Sequence, residues 1–236
     1  IEEGHEAFEL PLAQRVRTQA RRLGVSAATL FHAAWGLVVA HTSGREEVVF
    51  GSVLLGRMHG SAGAQRILGV FINTLPLRLQ LQGVTAKELV EGTQRELIEL
   101  LSHEQASLAV AQRCSGIVGS APLFTTLLNY RHSVPNPEAQ WDRVPGIQVI
   151  AGQERTNYPI MVSVDDLGEG FTLTAQTDRR IDPNRLTGYL RMAMESLVRA
   201  LEEAPQTSAL TLSILPQSER REVIEGFNAT QAPYPQ

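Results

Sequence analysis

At 236 residues, with 43% hydrophobic and 19% charged residues and a net charge of −4, the chain is long enough to bury a full core and is neither disordered nor fibrous in composition. The acidic balance excludes the basic footprint of a nucleic-acid binder. A single cysteine, Cys114, excludes an intramolecular disulfide and any CxxC metal or redox pair. Residues 1–10 (IEEGHEAFEL) are acidic and interrupted, unlike a secretory leader. The most apolar segment, around 27–40, is too short to span a bilayer and contains His32. The expectation is a soluble, cytoplasmic chain without membrane contact.

In chain order, residues 11–23 read as an amphipathic helix with an arginine-rich wet side, stopped by Gly24. Ser26 caps a second helix to about His41 that is apolar nearly all round and therefore belongs inside the protein. A strand over 47–55 (EVVFGSVLL) leads into a glycine-rich loop and then LGVFINTLPLRL. There Leu75, Leu77, Leu79 and Leu81 alternate with polar residues as in a half-buried strand. Thr85 and Glu88 have capping-box spacing ahead of a helix to Leu101, with Glu91 and Arg95 placed for an i,i+4 pair.

A short helix at 104–112 and a strand at 123–130 (LFTTLLNY) follow, then strands near 146–151, 159–164 and 171–176, the last two joined by DDLGEG. Asp182 and Pro183 suit the N-cap and first position of a helix to about Glu203, with Ile181 and Leu186 spaced as a hydrophobic staple. A short helix near 217–226 and a proline-bearing tail end the chain. Long helices interleaved with about six strands predict an α/β fold, a two-layer sandwich of a mixed sheet with helices on one side.

Catalytic motifs are scarce. GxSxG, a P-loop, GxGxxG and HExxH do not occur. His5, His32, His41, His59, His103 and His132 are scattered, with no pair at metal-ligand spacing, so no metal site is expected. Asp165, Asp166 and Glu169 resemble a carboxylate cluster, but their place in a hairpin favours a solvated turn. Ser115 has no base nearby in sequence. The amide of Asn73, directly after an apolar run, must either bond locally at the strand end or face something polar.

Several segments in order, LGVSAATLFHAAWGLVVAHTSGREEVVFGSVLLGR, LGVFINTLPLRL, HEQASLAVAQRCSG, PLFTTLLNYRHS and LPQSERREVIEGFNATQAPYP, resemble the condensation domains of nonribosomal peptide synthetases over practically the whole chain. GRMHGSAGAQRILGVFINTLPLR and EQASLAVAQRCSG look closest to the branch that both epimerises and condenses. The resemblance implies one half of a two-lobed, chloramphenicol acetyltransferase-like fold. Residues 1–205 would be the C-terminal lobe and residues 206–236 a linker with a short helix leading to an adenylation domain. The family's HHxxxDG motif, which lies in its N-terminal lobe, does not occur here. The expectation is thus no catalytic residue in this chain, no activity alone, and a start at Ile1 inside a longer polypeptide.

By the same resemblance, the chain forms one wall of a tunnel in which a carrier-bound acceptor amine attacks a carrier-bound donor thioester. The partners implied are the N-terminal condensation lobe, peptidyl carrier domains and a downstream adenylation domain. No cofactor is bound directly; 4'-phosphopantetheine arrives on the carrier domains. Arg57 resembles the arginine that pairs across the lobe boundary. Asn73 and Thr74, and Asn129 and Tyr130, resemble tunnel- or substrate-facing pairs. The 56–66 loop resembles the tunnel floor, and part of 133–158, with Trp141, resembles a segment crossing to the partner lobe. The alternative is a non-catalytic docking scaffold of the same family that recruits carrier or partner domains. A third reading, an acyl-CoA-dependent acyltransferase of the same fold, sits poorly with the linker-like tail.

Overall fold

The structure, a computed structural model, describes residues 1–56, 68–117, 121–132 and 155–230. The predicted strand at 146–151, the loop after Gly56 with Arg57, and the crossing segment through Trp141 lie outside the described residues.

Six strands form one mixed sheet: β1 (Glu2–Ala7), β2 (Glu47–Leu54), β3 (Asn73–Gln80), β4 (Thr126–His132), β5 (Ile160–Asp166) and β6 (Phe171–Thr177), in the order β1-β6-β5-β4-β2-β3. β2, β4 and β5 run parallel, and the other pairings are antiparallel. The long helices are α1 (Leu10–Leu23), α2 (Ala27–Ser43), α3 (Ala86–Ser102) and α5 (Pro183–Glu203). They share one core with Val48, Phe50, Leu77, Leu79, Leu128, Val162, Val164, Phe171, Leu173 and Ala175. Strand side chains alternate between faces, so these residues define the helix-covered face. The expected two-layer α/β arrangement is present.

Local signals act where the sequence puts them. Gly24 ends α1 in the left-handed region (φ 66°), a conformation glycine adopts without penalty. Ser26 accepts from Thr29 N at 3.1 Å. Thr85 and Glu88 close a reciprocal capping box, and Asp182 accepts from Asn184 N at 2.9 Å. Glu91, expected to pair with Arg95, lies 3.6 Å from Lys87 instead. α2 buries Leu30, Phe31, Trp35 and Leu37 almost completely, as its unbroken apolarity requires. Truncating any of these to alanine costs about 2–5 kcal/mol.

Three segments depart from expectation. β1 is a strand where the acidic residues 1–10 suggested none. Among the described residues it pairs with β6 alone, so it lies at a sheet edge, where Glu2 and Glu3 are exposed. Residues 103–106, where the helix expected at 104–112 should have begun, form a turn ahead of α4 (Leu108–Cys114). α4 lies against the second face, where Leu108 packs on Phe124, Leu127 and Met161. Finally, residues 207–215 join the main body. Ala209, Leu212 and Ile214 are buried in the core, and Ala86 N donates to Thr207 O at 2.8 Å. α6 (Gln217–Arg221) follows and continues as a wider turn over Glu222–Gly226. Among the described residues no single helix is long and apolar enough to cross a membrane.

Candidate functional site

The carboxyl ends of parallel strands are where α/β sheets hold ligands. Here β2, β4 and β5 end together, and β3 begins beside the end of β2, with Leu54 opposite Asn73. Four of the five sequence-predicted site residues lie along this edge; the fifth, Arg57, is outside the described residues.

Asn73 answers the question its sequence position posed. Its Nδ2 donates to Glu104 O at 2.9 Å and Ala106 O at 2.6 Å, and its Oδ1 accepts from Thr74 N at 2.9 Å. Both amide protons are therefore spent on the 103–106 turn. Gln105 Nε2 adds a bond to Gly56 O at 2.6 Å. One turn thus ties together the exit of β2 and the entry of β3. These bonds explain why the expected helix does not begin at 104.

Asn129 and Tyr130 point to opposite faces. Tyr130 packs on the helix side, with its ring 5.8 Å from that of Phe31, and its hydroxyl donates to Asp166 Oδ2 at 2.6 Å. Asn129 occupies the second face, level with Ser163; Thr74 likewise lies on that face of β3. The strand end therefore does not present Asn129 and Tyr130 together as a polar pair.

Asp166 is the residue that sequence reasoning undervalued. Far from sitting in a solvated turn, its side chain is only 6% exposed. It accepts from Arg17 Nη2 at 2.5 Å, from Tyr130 and from Gly168 N at 3.0 Å. Burial pushes its carboxyl upward, but the bonds from Arg17, Tyr130 and Gly168 outweigh that and hold it down at about 2. The Tyr130 phenol moves the other way, raised by burial and by the adjacent carboxylate. Arg17 also lies over the Phe171 ring, 4.3 Å from its centroid. Next door, Asp165 receives both Nε (2.9 Å) and Nη2 (2.8 Å) of Arg131. The His132 Nδ1 lies 3.6 Å from Asp166 Oδ2, with its ring edge-on to Tyr130. Only the Asp-Asp pair at a strand end hinted at this in the sequence.

A second histidine contact lies deeper: His32 and Ser52 are hydrogen-bonded inside the core. Burial lowers the imidazole to about 4, against a smaller upward pull from the Ala28 carbonyl. No path leads a substrate to this pair, because both side chains are buried. No cluster of three or more His, Cys, Asp or Glu suited to a metal occurs among the described residues.

The family profile described as the condensation domain matches residues 2–224. This chain belongs to the condensation domain family. Malpinin synthetase of Mortierella alpina is 43% identical over 236 residues, covering 100% of this chain and 3% of the synthetase. Bacitracin synthase 3 of Bacillus licheniformis is 27% identical over 238 residues, covering 97% of the chain and 4% of the relative. The chain thus spans a small fraction of the synthetases it matches.

Among solved structures, the condensation domain from monacolin K polyketide synthase superposes with a TM-score of 0.71 at 20% identity, covering 88% of this chain and 48% of that one. The X-domain from teicoplanin biosynthesis gives 0.71 at 18% identity, with 91% and 50% covered. The condensation domain fold, a chloramphenicol acetyltransferase-like mixed sheet with helices, is therefore the fold of this chain, which spans about half the length of those structures.

Proposed function

We propose that this chain is the C-terminal lobe of a nonribosomal peptide synthetase condensation domain and forms one wall of the tunnel where peptide bonds are made. The observation that carries this reading is the pairing of half-length coverage with an apolar edge. The chain spans 48% of the condensation-domain structure and 50% of the X-domain structure named above. Leu55, Leu68, Val70 and Ile72 are exposed beside the ends of β2 and β3, Leu68 at 97% and Val70 at 92%. A patch of this kind is the mark of a surface that meets another body, and the N-terminal lobe is the body such a fold supplies.

In this reading, the acceptor amine on one carrier domain attacks the donor thioester carbonyl on the other. A C–N bond forms, the C–S bond breaks to leave the donor arm's sulfur as a free thiol, and the amine gives up the proton that the thiol gains. A histidine of the N-terminal lobe, in HHxxxDG, takes that proton or positions the amine. The phosphopantetheine arms bring both substrates into the tunnel, and alignment there removes much of the entropic barrier. Asn129 and Thr74, both on the second face of the sheet, are the groups of this chain suited to polar contact with amide and thioester. Asn73 and Tyr130 contribute by holding the turn and the strand end. Arg57 pairs with the aspartate of HHxxxDG across the lobes. Residues 216–236 lead on to the adenylation domain, and the whole works in the cytoplasm.

The test is reconstitution with aminoacyl- and peptidyl-loaded carrier proteins. The whole domain forms the peptide bond; this chain alone forms none. Arg57→Ala in the whole domain cuts turnover sharply and leaves the melting temperature of this chain unchanged. Turnover by the isolated chain above buffer background overturns the lobe reading. A whole domain that binds carriers without joining their substrates points to a docking scaffold.

A further inference from the structure

We propose that Asp165 and Asp166, together with Arg17, are positioning residues that grip the outgoing end of β4, Asn129–His132, from both faces of the sheet. The inference rests on the peptide-bond reading and adds three residues to which the family resemblance gave no role.

The geometry is specific. Asp165 and Asp166 are the last two residues of β5, directly opposite Arg131 and His132 of β4. Because consecutive strand residues face opposite ways, Asp165 holds Arg131 on the second face through two parallel bonds of 2.9 and 2.8 Å. Asp166 reaches diagonally to the Tyr130 hydroxyl on the helix face at 2.6 Å. The exposed His132 ring lies beside them, its Nδ1 3.6 Å from Asp166 Oδ2. Two adjacent carboxylates thereby fix two successive residues of the neighbouring strand, Tyr130 and Arg131. Asn129, the second-face polar residue, comes just before them.

The cluster is anchored from outside the sheet. Arg17 comes from α1, 149 residues away in sequence, and is fixed between Asp166 and the Phe171 ring. Gly168 N closes the β5–β6 turn onto the same carboxylate. Apolar residues of similar volume would stabilise such a buried site as well or better, so a buried ion pair is weak evidence for stability alone. What charges and bidentate bonds add is direction. In a reaction that depends on aligning two tethered substrates, a strand end displaced by about 1 Å costs on the order of a hundredfold in rate.

The experiment uses the whole condensation domain with loaded carrier partners, assayed well below each variant's melting temperature. Tyr130→Phe and Asp166→Asn each lower kcat about tenfold, the scale of one hydrogen bond to a charged group, with KM for the carrier substrate unchanged. The double variant loses no more than the worse single variant, since both remove the same contact. Arg15→Gln, which breaks an ion pair between α1 and Glu202 of α5, serves as the control: it lowers the melting temperature and leaves kcat alone. Site variants that melt lower but keep the wild-type kcat overturn the inference and leave the cluster a structural device. A wild-type domain that joins no substrates overturns the peptide-bond reading, and this inference with it.

Discussion

His32 and Ser52 connect the core helix α2 to strand β2 through a hydrogen bond sealed from water. Ser52 Oγ donates to His32 Nε2 at 2.9 Å, and Nδ1 of the same ring donates to Ala28 O at 2.7 Å. The carbonyl can only accept, which fixes the proton on Nδ1 and leaves Nε2 to accept the hydrogen bond from the serine hydroxyl. The imidazole is thus built to be neutral.

That neutrality makes the fold sensitive to mild acid. The His32 ring titrates at about 4 when folded, against 6.5 ordinarily, so below 6.5 the unfolded chain binds a proton that the folded chain refuses. The stability tied to His32 is complete above pH 6.5 and falls as the pH drops to about 4, by about 3 kcal/mol in all. Asp166 acts in a separate, lower window: its carboxyl is held below the ordinary 3.8, so its contribution is present above that value and lost beneath it. Melting curves from pH 7.5 to 4.5 check the first window. His32→Gln flattens the slope there, and an unchanged slope would assign it to other groups.

Asn73→Ala strips the donors from Glu104 O and Ala106 O and the acceptor from Thr74 N. Leaving part-buried groups unpaired costs about 1–3 kcal/mol. The urea midpoint should fall accordingly, with new protease cutting confined to residues 102–108. Cutting elsewhere, or none, would mean the turn stands without the amide.

Gly56→Ala places a side chain where the backbone has φ 71°, and its Cβ would run into the Phe71 carbonyl oxygen. Strain of this kind costs about 1–3 kcal/mol before any clash is counted. The variant is expected to lose soluble yield and melt several degrees lower. A wild-type melting curve would show that the β2 exit can be rebuilt at no cost.

Glu219 accepts from Arg185 and from Tyr189 Oη at 2.6 Å, pinning α6 onto α5. Glu219→Gln keeps the size and removes the charge. The pair is partly exposed, so the loss is modest, about 1 kcal/mol. It should appear as faster proteolysis after residue 215 with the cutting pattern before it unchanged. Cleavage spreading into 207–215 would mean that the core-packed segment depends on the clamp.

What the sequence made legible was whatever is decided within a few residues. Ser26, Thr85 and Asp182 announce their helices because a cap bonds two or three residues downstream, and the unbroken apolarity of α2 announces its burial. What escaped was decided by distant partners. β1 carries no apolar alternation, since it lies at an edge and owes its conformation to β6. Asp166 reads as a turn residue until Tyr130 and Arg17, 36 and 149 residues away, are brought to it. The Asn73 amide was legible as a group in need of partners; that these were carbonyls 31 and 33 residues on depended on the tertiary fold.

The pairing of β1 with β6 carries a consequence for how the protein is made. His5 and Thr174, which touch across these strands, are 169 residues apart. On a ribosome adding roughly 5–20 residues per second, the first strand waits about ten to thirty seconds before β6, its neighbour among the described residues, has been synthesised. During that interval β6 is missing and Glu2, Glu3 and Glu6 ride on an unpaired strand. Three carboxylates in six residues make this strand a poor template for pairing with another strand edge, so the charge that hid it in the sequence also disfavours premature pairing until the sheet can close.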